Sequence, residues 1–410
     1  MSSLLWGKVY YKDIFAGILR EEPGDQTSFE YDSQYLQEGH PSISYSLPRT
    51  AIIHKYHSGL HPFFDNLVAE GWLQEAQTRS LGKRIISHFE LLLAFGYDCA
   101  GAVSIKDPDP ASLSKLLIDH KDPKEIAVFQ NRASLSGVQP KLAVIKRDGK
   151  YYPSKFGELS THIAKFTSPG HHHLIFNEYL ISHALKALLP DDQVVDLEIS
   201  EVEGIPEPTL IIKRFDRVLD ERQHFEEFNQ LLERKSHQKY QGAYKDMSAF
   251  ILNSKDCLPI ENYHLYSRII AGFLLGNTDM HFKNFAVFHT PTGLRLTPSY
   301  DQVCAVIYKY KTLALALGGA KDILIDRLKA KNLLIMAEEF NLSREAISLI
   351  FHQLDKNKEA AQESIFSSHV GDKVFKDQLI KVMEVRWKET FASIGQLLLK
   401  KQSKDVNSKE

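Results

Sequence analysis

The stretch that decides the reading is GNTDMHFKNFAVF (276–288), followed by LTPSYDQV (296–303). An apolar run, Tyr263–Leu275, precedes it, and Ile269, Ile270, Phe273 and Leu274 fall on one face of a predicted buried helix. Asp279 then stands on a loop at the helix end, and Asn284 follows at D-x-x-x-x-N spacing. NFAVF, a TPTG turn and LRLTPSY predict a hairpin that returns the chain so that Asp301 faces Asn284. A carboxylate and a carboxamide oxygen suit Mg²⁺, which takes few protein ligands and leaves room for phosphate oxygens. The spacing alone is common, and a polar helix-capping loop is the plainer alternative.

Three upstream segments point the same way. Lys165 lies in the strand-like THIAKF, and Glu178 lies in the helical stretch Leu174–Leu189. A strand lysine and a glutamate on the next helix form the ion pair that holds ATP phosphates in protein kinases; an exposed lysine and an unrelated glutamate is the alternative. SLSGVQPK (134–141) has one glycine, so it is neither a Walker loop nor G-x-G-x-x-G. Backbone amides around Ser136–Gln139 can form an anion nest, with Lys141 adding charge, or the segment is an ordinary turn. TLIIKRFDR (209–217) leaves the strand-rich part of the chain where a kinase hinge is expected. Backbone groups of Lys213 to Phe215 would meet the adenine edge, with Asp216 and Arg217 at the mouth of a cleft. A strand end carrying a local Arg–Asp pair is the alternative.

Working outward, the first part of the chain, to about Ile118, opens with strand-like pieces (LLWGKVYYKDIFAGILR, TSFEYDSQYL). Helical stretches are expected around Phe64–Glu75 and Gly82–Phe95, and DPDPASLSKLL reads as a linker running into a short helix. ASLSGVQPKLAVIKRDGKYYPS predicts a loop and two strands joined by an Asp148–Gly149 turn. VVDLEIS and TLIIKRF are two more strands. Helices dominate after Asp216, several of them between Ile323 and about Leu399, and KKQSKDVNSKE is a polar tail expected to be disordered. A chain of 410 residues with net charge −2 has no overall field that would draw it to nucleic acid or an anionic membrane. Cys99, Cys257 and Cys304 are too scattered for a zinc or disulfide framework. The N-terminus lacks a signal-peptide core, and ELLLAFG is too short to span a bilayer, so a cytoplasmic protein is expected. His171–His173 and the trio His54, His57 and His61 carry no supporting ligand cluster. The run at His171 reads as a mobile polar loop. The lysines of 308–311 and 321–331 read as a solvated face, or else as a contact with DNA or an antitoxin complex.

Taken together, SLSGVQPK, STHIAKF, NEYL, KRFDR, GNTDMHFKNFAVF and LTPSYD resemble the HipA-like kinases, the toxin components of HipBA-type toxin–antitoxin systems. FEYDSQYL and HPFFDNLVAEGWLQE resemble segments of that family's N-terminal subdomain. The resemblance implies an α+β, divergent two-lobed protein-kinase-like fold. Its small β-rich lobe would carry one main helix, its larger lobe would be helical, and an α/β subdomain would precede both. The expected divisions are 1–125, 126–218, 219–400 and a tail at 401–410. It implies ATP and Mg²⁺ as cofactors, Asp279 as proton acceptor, and Asn284 and Asp301 as metal ligands. Ser136, Gly137, Val138, Gln139 and Lys141 would form the nucleotide loop, and Lys165 would contact phosphates. Lys213, Arg214 and Phe215 would form the hinge, and His281 would lie near the phosphates, with Glu178 and Tyr300 completing the ATP set. Ser134 or Ser136 would be autophosphorylated. Pro140 stands where the family often has glutamate, and Lys213 replaces an acidic residue of some members. The implied partners are a protein substrate, an aminoacyl-tRNA synthetase such as glutamyl-tRNA synthetase, and a helix-turn-helix HipB-like antitoxin. Operator DNA would be reached only through that antitoxin, and no membrane is involved. A non-catalytic corepressor and a small-molecule phosphotransferase are the competing functions.

Overall fold

The computed structural model describes residues 4–84, 86–109, 122–168, 170–219, 221–395 and 397–398. The expected short helix in DPDPASLSKLL falls largely outside them, and the expected tail wholly so. The described chain packs as two compact units, 1–170 with 196–238, and 171–195 with 239–410.

The first unit opens with β1 (Trp6–Tyr11), β2 (Ile14–Glu22) and β3 (Gln26–Tyr31), joined later by β4 (Ile53–Tyr56) and β5 (Val103–Lys106). Their order is β4-β3-β2-β1-β5, and every pairing is antiparallel. The N-terminal part is therefore α+β and not α/β, since adjacent strands need no helical crossover. Asp32 ends β3 and caps α1 (Ser33–Gln37) by accepting from the Gln34 and Tyr35 amides, so SQYL is helix where a strand was expected. The expected helix over Phe64–Glu75 is two pieces, α2 (Pro62–Asp65) and α3 (Gly71–Ser80). Gly71, at φ +55°, starts the second. Helix α4 (His88–Phe95) begins later than its apolar run suggested, because Ser87 and Glu90 form a capping box there.

After α5 (Pro123–Asn131) come β6 (Lys141–Arg147), β7 (Lys150–Pro153) and β8 (His162–Lys165). Asp148 and Gly149 turn β6 into β7 with both φ values positive, +48° and +79°, as a two-residue hairpin requires. Helix α6 (Leu174–Leu188) intervenes in the chain before β9 (Leu197–Val202) and β10 (Ile205–Lys213). These five strands close into a barrel, β10-β8-β6-β7-β9, sealed by a parallel bridge between Tyr151 and Val202. One apolar cluster runs through the first sheet and the barrel, from Phe29, Phe64 and Phe95 to Val144, Ala164 and Ile211. The boundary expected at 125/126 thus crosses a continuous core. Short strands β11 (Arg217–Val218), β12 (Glu221–Arg222) and β13 (Phe225–Glu227) and helix α7 (Phe228–Leu231) complete the unit.

Helix α6 belongs to the second unit, where it packs along α11 (Arg344–Phe366). It buries Ile175, Leu180, Ile181, Ala184, Leu185 and Leu188. It was expected as the main helix of the β-rich lobe; its apolar face is satisfied instead by another helix. The remainder is α8 (Tyr244–Asn253), α9 (Pro259–Leu274), the hairpin β14 (Ala286–Thr290) and β15 (Gly293–Leu296), then α10 (Ala330–Glu339), α11 and α12 (Lys373–Arg386). Pro259 occupies the first turn of α9, where its missing N–H costs nothing. Tyr266 donates to the Leu333 carbonyl and Asn262 to that of Phe340, which ties α9 to α10 and its C-terminal end.

Candidate active site

Helix α9 stops at Gly276, whose φ is +78°. A Cβ there would lie 2.7 Å from Val382 and 2.9 Å from Cys304, so a larger residue would push the following loop away from the core. The loop is then fixed by its own polar groups. Asn277 accepts from the Asp279 amide at 3.1 Å and donates to Gln302 at 3.3 Å. Thr278 donates to the Tyr310 carbonyl at 2.6 Å. Thr278 and Met280 are buried on either side of Asp279, which keeps an exposed face. Anchoring on both sides holds one side chain out to solvent on a fixed backbone.

The His281 amide donates to Asn284 Oδ1 at 2.9 Å, and His281 Nδ1 accepts from the Lys283 amide at 3.2 Å. The hairpin forms in the expected register, Val287 opposite Leu296 and Thr290 opposite Gly293. It brings Asp301 back to Asn284, whose Nδ2 donates to Asp301 Oδ2 at 3.5 Å. Asp301 is held at φ +53°. Tyr300 donates to the Lys283 carbonyl at 2.9 Å, so it braces the loop from below. Two ligand atoms on one Mg²⁺ each lie about 2.1 Å from it and stand up to about 4.2 Å apart. The two side chains are neighbours, and Asn284 Oδ1, which already accepts from the His281 amide, retains a lone pair for an ion. The set also matches the hard-oxygen chemistry of Mg²⁺, with remaining positions left for phosphate and water.

Loss of hydration around the carboxyl group pushes the Asp279 pKa above the ordinary carboxylate value. The Tyr240 hydroxyl and the Lys239 charge oppose that rise, and the Asp301 charge reinforces it. Tyr240 donates to Asp279 Oδ1 at 2.9 Å. Neither Lys239 nor Tyr240 belongs to any spacing motif, and sequence reasoning missed both. Glu178 lies in the same unit, buried in α6. In the histidine run, His171 stacks on Tyr310 with ring centroids 5.8 Å apart, and His173 stacks on Phe375 at 4.9 Å.

The expected nucleotide loop belongs to the first unit. Ser134 is buried, and its hydroxyl donates to the Leu67 carbonyl at 2.7 Å. Ser136 and Gly137 are half-buried, and Val138 is 61% exposed. Gly137 has φ +99°, and Lys141 Nζ folds back to the Ser136 carbonyl. Gln139 donates to the Phe166 carbonyl at 2.8 Å. Gly71 backs the loop: the Trp72 amide donates to the Val138 carbonyl, and a Cβ on Gly71 would come within 2.8 Å of Val138. Lys141 and Lys165 are paired across β6 and β8, both buried, so two cationic side chains share one face of the barrel wall.

The expected hinge differs from its reading. The Lys213 amide donates to the Asp196 carbonyl at 2.9 Å and the Arg214 amide to that of Thr161 at 3.0 Å. Phe215 packs edge-on against Phe225. Asp216 and Arg217, expected at a cleft mouth, are buried, as is Arg214. They join Asp98 in an ionic cluster. Asp98 meets Arg217 at 2.7 Å, Arg214 at 3.3 Å and Arg222 at 3.5 Å. Asp216 meets Arg214 and Arg217 at 2.7 Å each. Ser160 donates to Asp98 at 2.6 Å, and the Cys99 carbonyl accepts from both Arg214 and Arg217. Three arginines and two aspartates with so many mutual bonds offset much of the cost of burying one another, although Arg217 Nε and Arg222 Nη1 make no hydrogen bond among the described residues.

Family models match over most of these elements: the HipA N-terminal domain over residues 7–106 and the HipA-like C-terminal domain over 133–362. The serine/threonine-protein kinase toxin HipA of Shewanella oneidensis is 28% identical over 355 residues, covering 77% of this chain and 79% of that protein. The Y4dM protein of Sinorhizobium fredii is 27% identical over 351 residues, covering 78% and 82%. The fold is similar to that of Shewanella oneidensis MR-1 HipA, solved with HipB and its operator DNA, at a TM-score of 0.75 and 21% identity over 95% of this chain and 99% of that one. With both domain models matched, and the C-terminal one spanning more than half of its length, the chain belongs to the HipA-like kinase family.

Proposed function

We propose that the chain is an ATP- and Mg²⁺-dependent serine/threonine protein kinase and the toxin of a type II toxin–antitoxin system. The observation that carries the reading is the loop-and-hairpin set Asp279, Asn284 and Asp301, with Asn284 and Asp301 side by side and Asp279 exposed on the same rigid loop. Asn284 and Asp301 hold Mg²⁺, which neutralises charge on the phosphates. Lys141 and Lys165 supply positive charge for the phosphates, and the Ser136–Gln139 backbone frames them. Asp279 orients the substrate hydroxyl and accepts its proton. The hydroxyl oxygen bonds to the γ-phosphorus, the bond from that phosphorus to the β–γ bridging oxygen breaks, and its electron pair leaves with ADP.

In this reading the substrate is a serine or threonine of an aminoacyl-tRNA synthetase, glutamyl-tRNA synthetase being the leading candidate, and its modification stalls translation and growth in the cytoplasm. No helix among the described residues is long and apolar enough to cross a membrane. The solved complex of Shewanella HipA with HipB and operator DNA supports a HipB-like antitoxin as partner, with DNA reached through it. Autophosphorylation in the nucleotide loop switches the enzyme off. A phosphate on Ser134 replaces the hydroxyl bond to Leu67 with roughly −1.5 to −2 charge in a buried place, so the loop must leave its seat. The same charge on Ser136 repels ATP directly.

Incubation of the purified chain with labelled ATP, Mg²⁺ and bacterial lysate tests the proposal. Wild type is expected to label a discrete protein band and itself, and Asp279→Asn neither. Label confined to small molecules, or equal labelling by both proteins, rejects it.

A further inference from the structure

We propose that Tyr240 is a positioning residue for phosphoryl transfer: its phenol holds one oxygen of Asp279 so that the other faces the substrate hydroxyl. The inference deepens the kinase reading and rests on it. An aspartate carboxyl group turns easily about its last bond, because that torsion is broad and twofold. The Asp279 amide is tied to Asn277, but that bond fixes the backbone and leaves the carboxyl group free to turn. The Tyr240 hydroxyl bond to Oδ1 supplies the missing constraint. A general base gains from being held within hydrogen-bond reach of the proton it takes.

Tyr240 can do this because it is itself anchored, although its side chain is 48% exposed. Its ring stands edge-on to His281, with centroids 4.9 Å apart and planes at 86°. The Lys239 ammonium lies 5.7 Å from the ring centroid, and the Lys239 carbonyl accepts from the Phe282 amide. Gly242 lies so close to Phe282 that a Cβ there would stand 2.7 Å from its ring. Segment 239–242 is thus strapped to the catalytic loop through backbone and ring together. The charged and titratable groups around Asp279 are Lys239 and Asp301, with Tyr240, Tyr244 and His281 beside them. A phenol on a catalytic carboxylate also admits the opposite role, a stand-in that occupies the place of the substrate hydroxyl and blocks it. Three separate anchors on the catalytic loop favour a fixed brace over a removable plug.

Tyr240→Phe removes the hydroxyl and keeps the ring contact with His281. The brace predicts that kcat falls by about ten- to a hundredfold, that the KM for ATP stays within about twofold, and that the thermal midpoint is unchanged. A variant as active as wild type, or more active, overturns it, and higher activity identifies the blocking role. A second measurement uses the full chain labelled with ¹³Cζ-tyrosine, the Tyr240 resonance being assigned by its absence in Tyr240→Phe. That resonance is expected to move on Asp279→Ala, and one that stays put overturns the inference whether or not the chain transfers phosphate. If the resonance moves but wild type transfers no phosphate to any acceptor, the kinase reading fails. The catalytic role of Tyr240 is then refuted, and only the contact stands.

Discussion

Asp98 and Asp279 are the same residue type in two regions built on opposite electrostatic plans. Burial alone would raise the Asp98 pKa, but Arg214, Arg217 and Arg222 outweigh it, and its carboxyl group sits well below the ordinary range. Asp279 keeps an exposed face, yet loss of hydration leaves its pKa raised, with Asp301 adding like charge. Around Asp98, three arginines face two aspartates, and the region is structural. Around Asp279 two carboxylates share a loop and hairpin, an arrangement suited to receiving a cation and a proton. Charge compensation, more than burial, separates the aspartate that holds the fold from the one proposed to do chemistry.

Exchanging charge for amide at each place tests that contrast most strongly. Asp279→Asn is expected to lower kcat by about 10²- to 10⁴-fold with no loss of stability. Asp98→Asn is expected to cost about 3–5 kcal/mol of unfolding free energy, because Arg214, Arg217 and Arg222 lose their shared counter-charge in a buried site. Urea unfolding followed alongside transfer kinetics reads both, and an Asp98→Asn protein as stable as wild type breaks the comparison. A smaller effect concerns the support of the proposed nucleotide loop. Gly71→Ala places a Cβ against Val138 at φ +55°, a strain of about 1–2 kcal/mol. Calorimetric ATP binding is expected to weaken by roughly three- to tenfold, whereas unchanged affinity means that the loop is not held from behind. The mildest test is pH. The depressed pKa of Asp98 contributes stability that is complete above the unfolded carboxylate value, about 3.9, and is lost as pH falls through the folded value. As the proposed proton acceptor Asp279 must be ionised, and its pKa is raised, so kcat/KM should decline at a higher pH than stability does. Acid profiles of activity and unfolding that fall together contradict the assignment.

How much of this was legible depended on the range of the interactions involved. The buried helix α9, the hairpin after it and the Asp148–Gly149 turn were readable because periodicity and turn chemistry act within a few residues. The pairing of Asn284 with Asp301 was readable for the same reason, since a tight hairpin fixes where the chain returns. The KRFDR segment was misplaced: an Arg–Asp pair at a strand end has the same local pattern whether it faces solvent or a core. What buries it is Asp98, 116 positions away from Arg214. The helix expected over Phe64–Glu75 failed because Gly71 turns the chain where apolar periodicity continues across the break. Helix α6 has an ordinary apolar face, and nothing in it specifies that α11 is what it packs against.

By itself, the order of residues determined that Asp279 stands on the loop after α9 and that the hairpin returns Asp301 to Asn284, because their spacing and the turn between them are local properties of the chain. Only the tertiary structure decided that Asp98 pairs with the arginines after β10, that Gly71 backs the loop at Val138, and that Tyr240 grips Asp279. Those contacts join segments far apart along the backbone, and their energies exist only once the cores have brought the segments together.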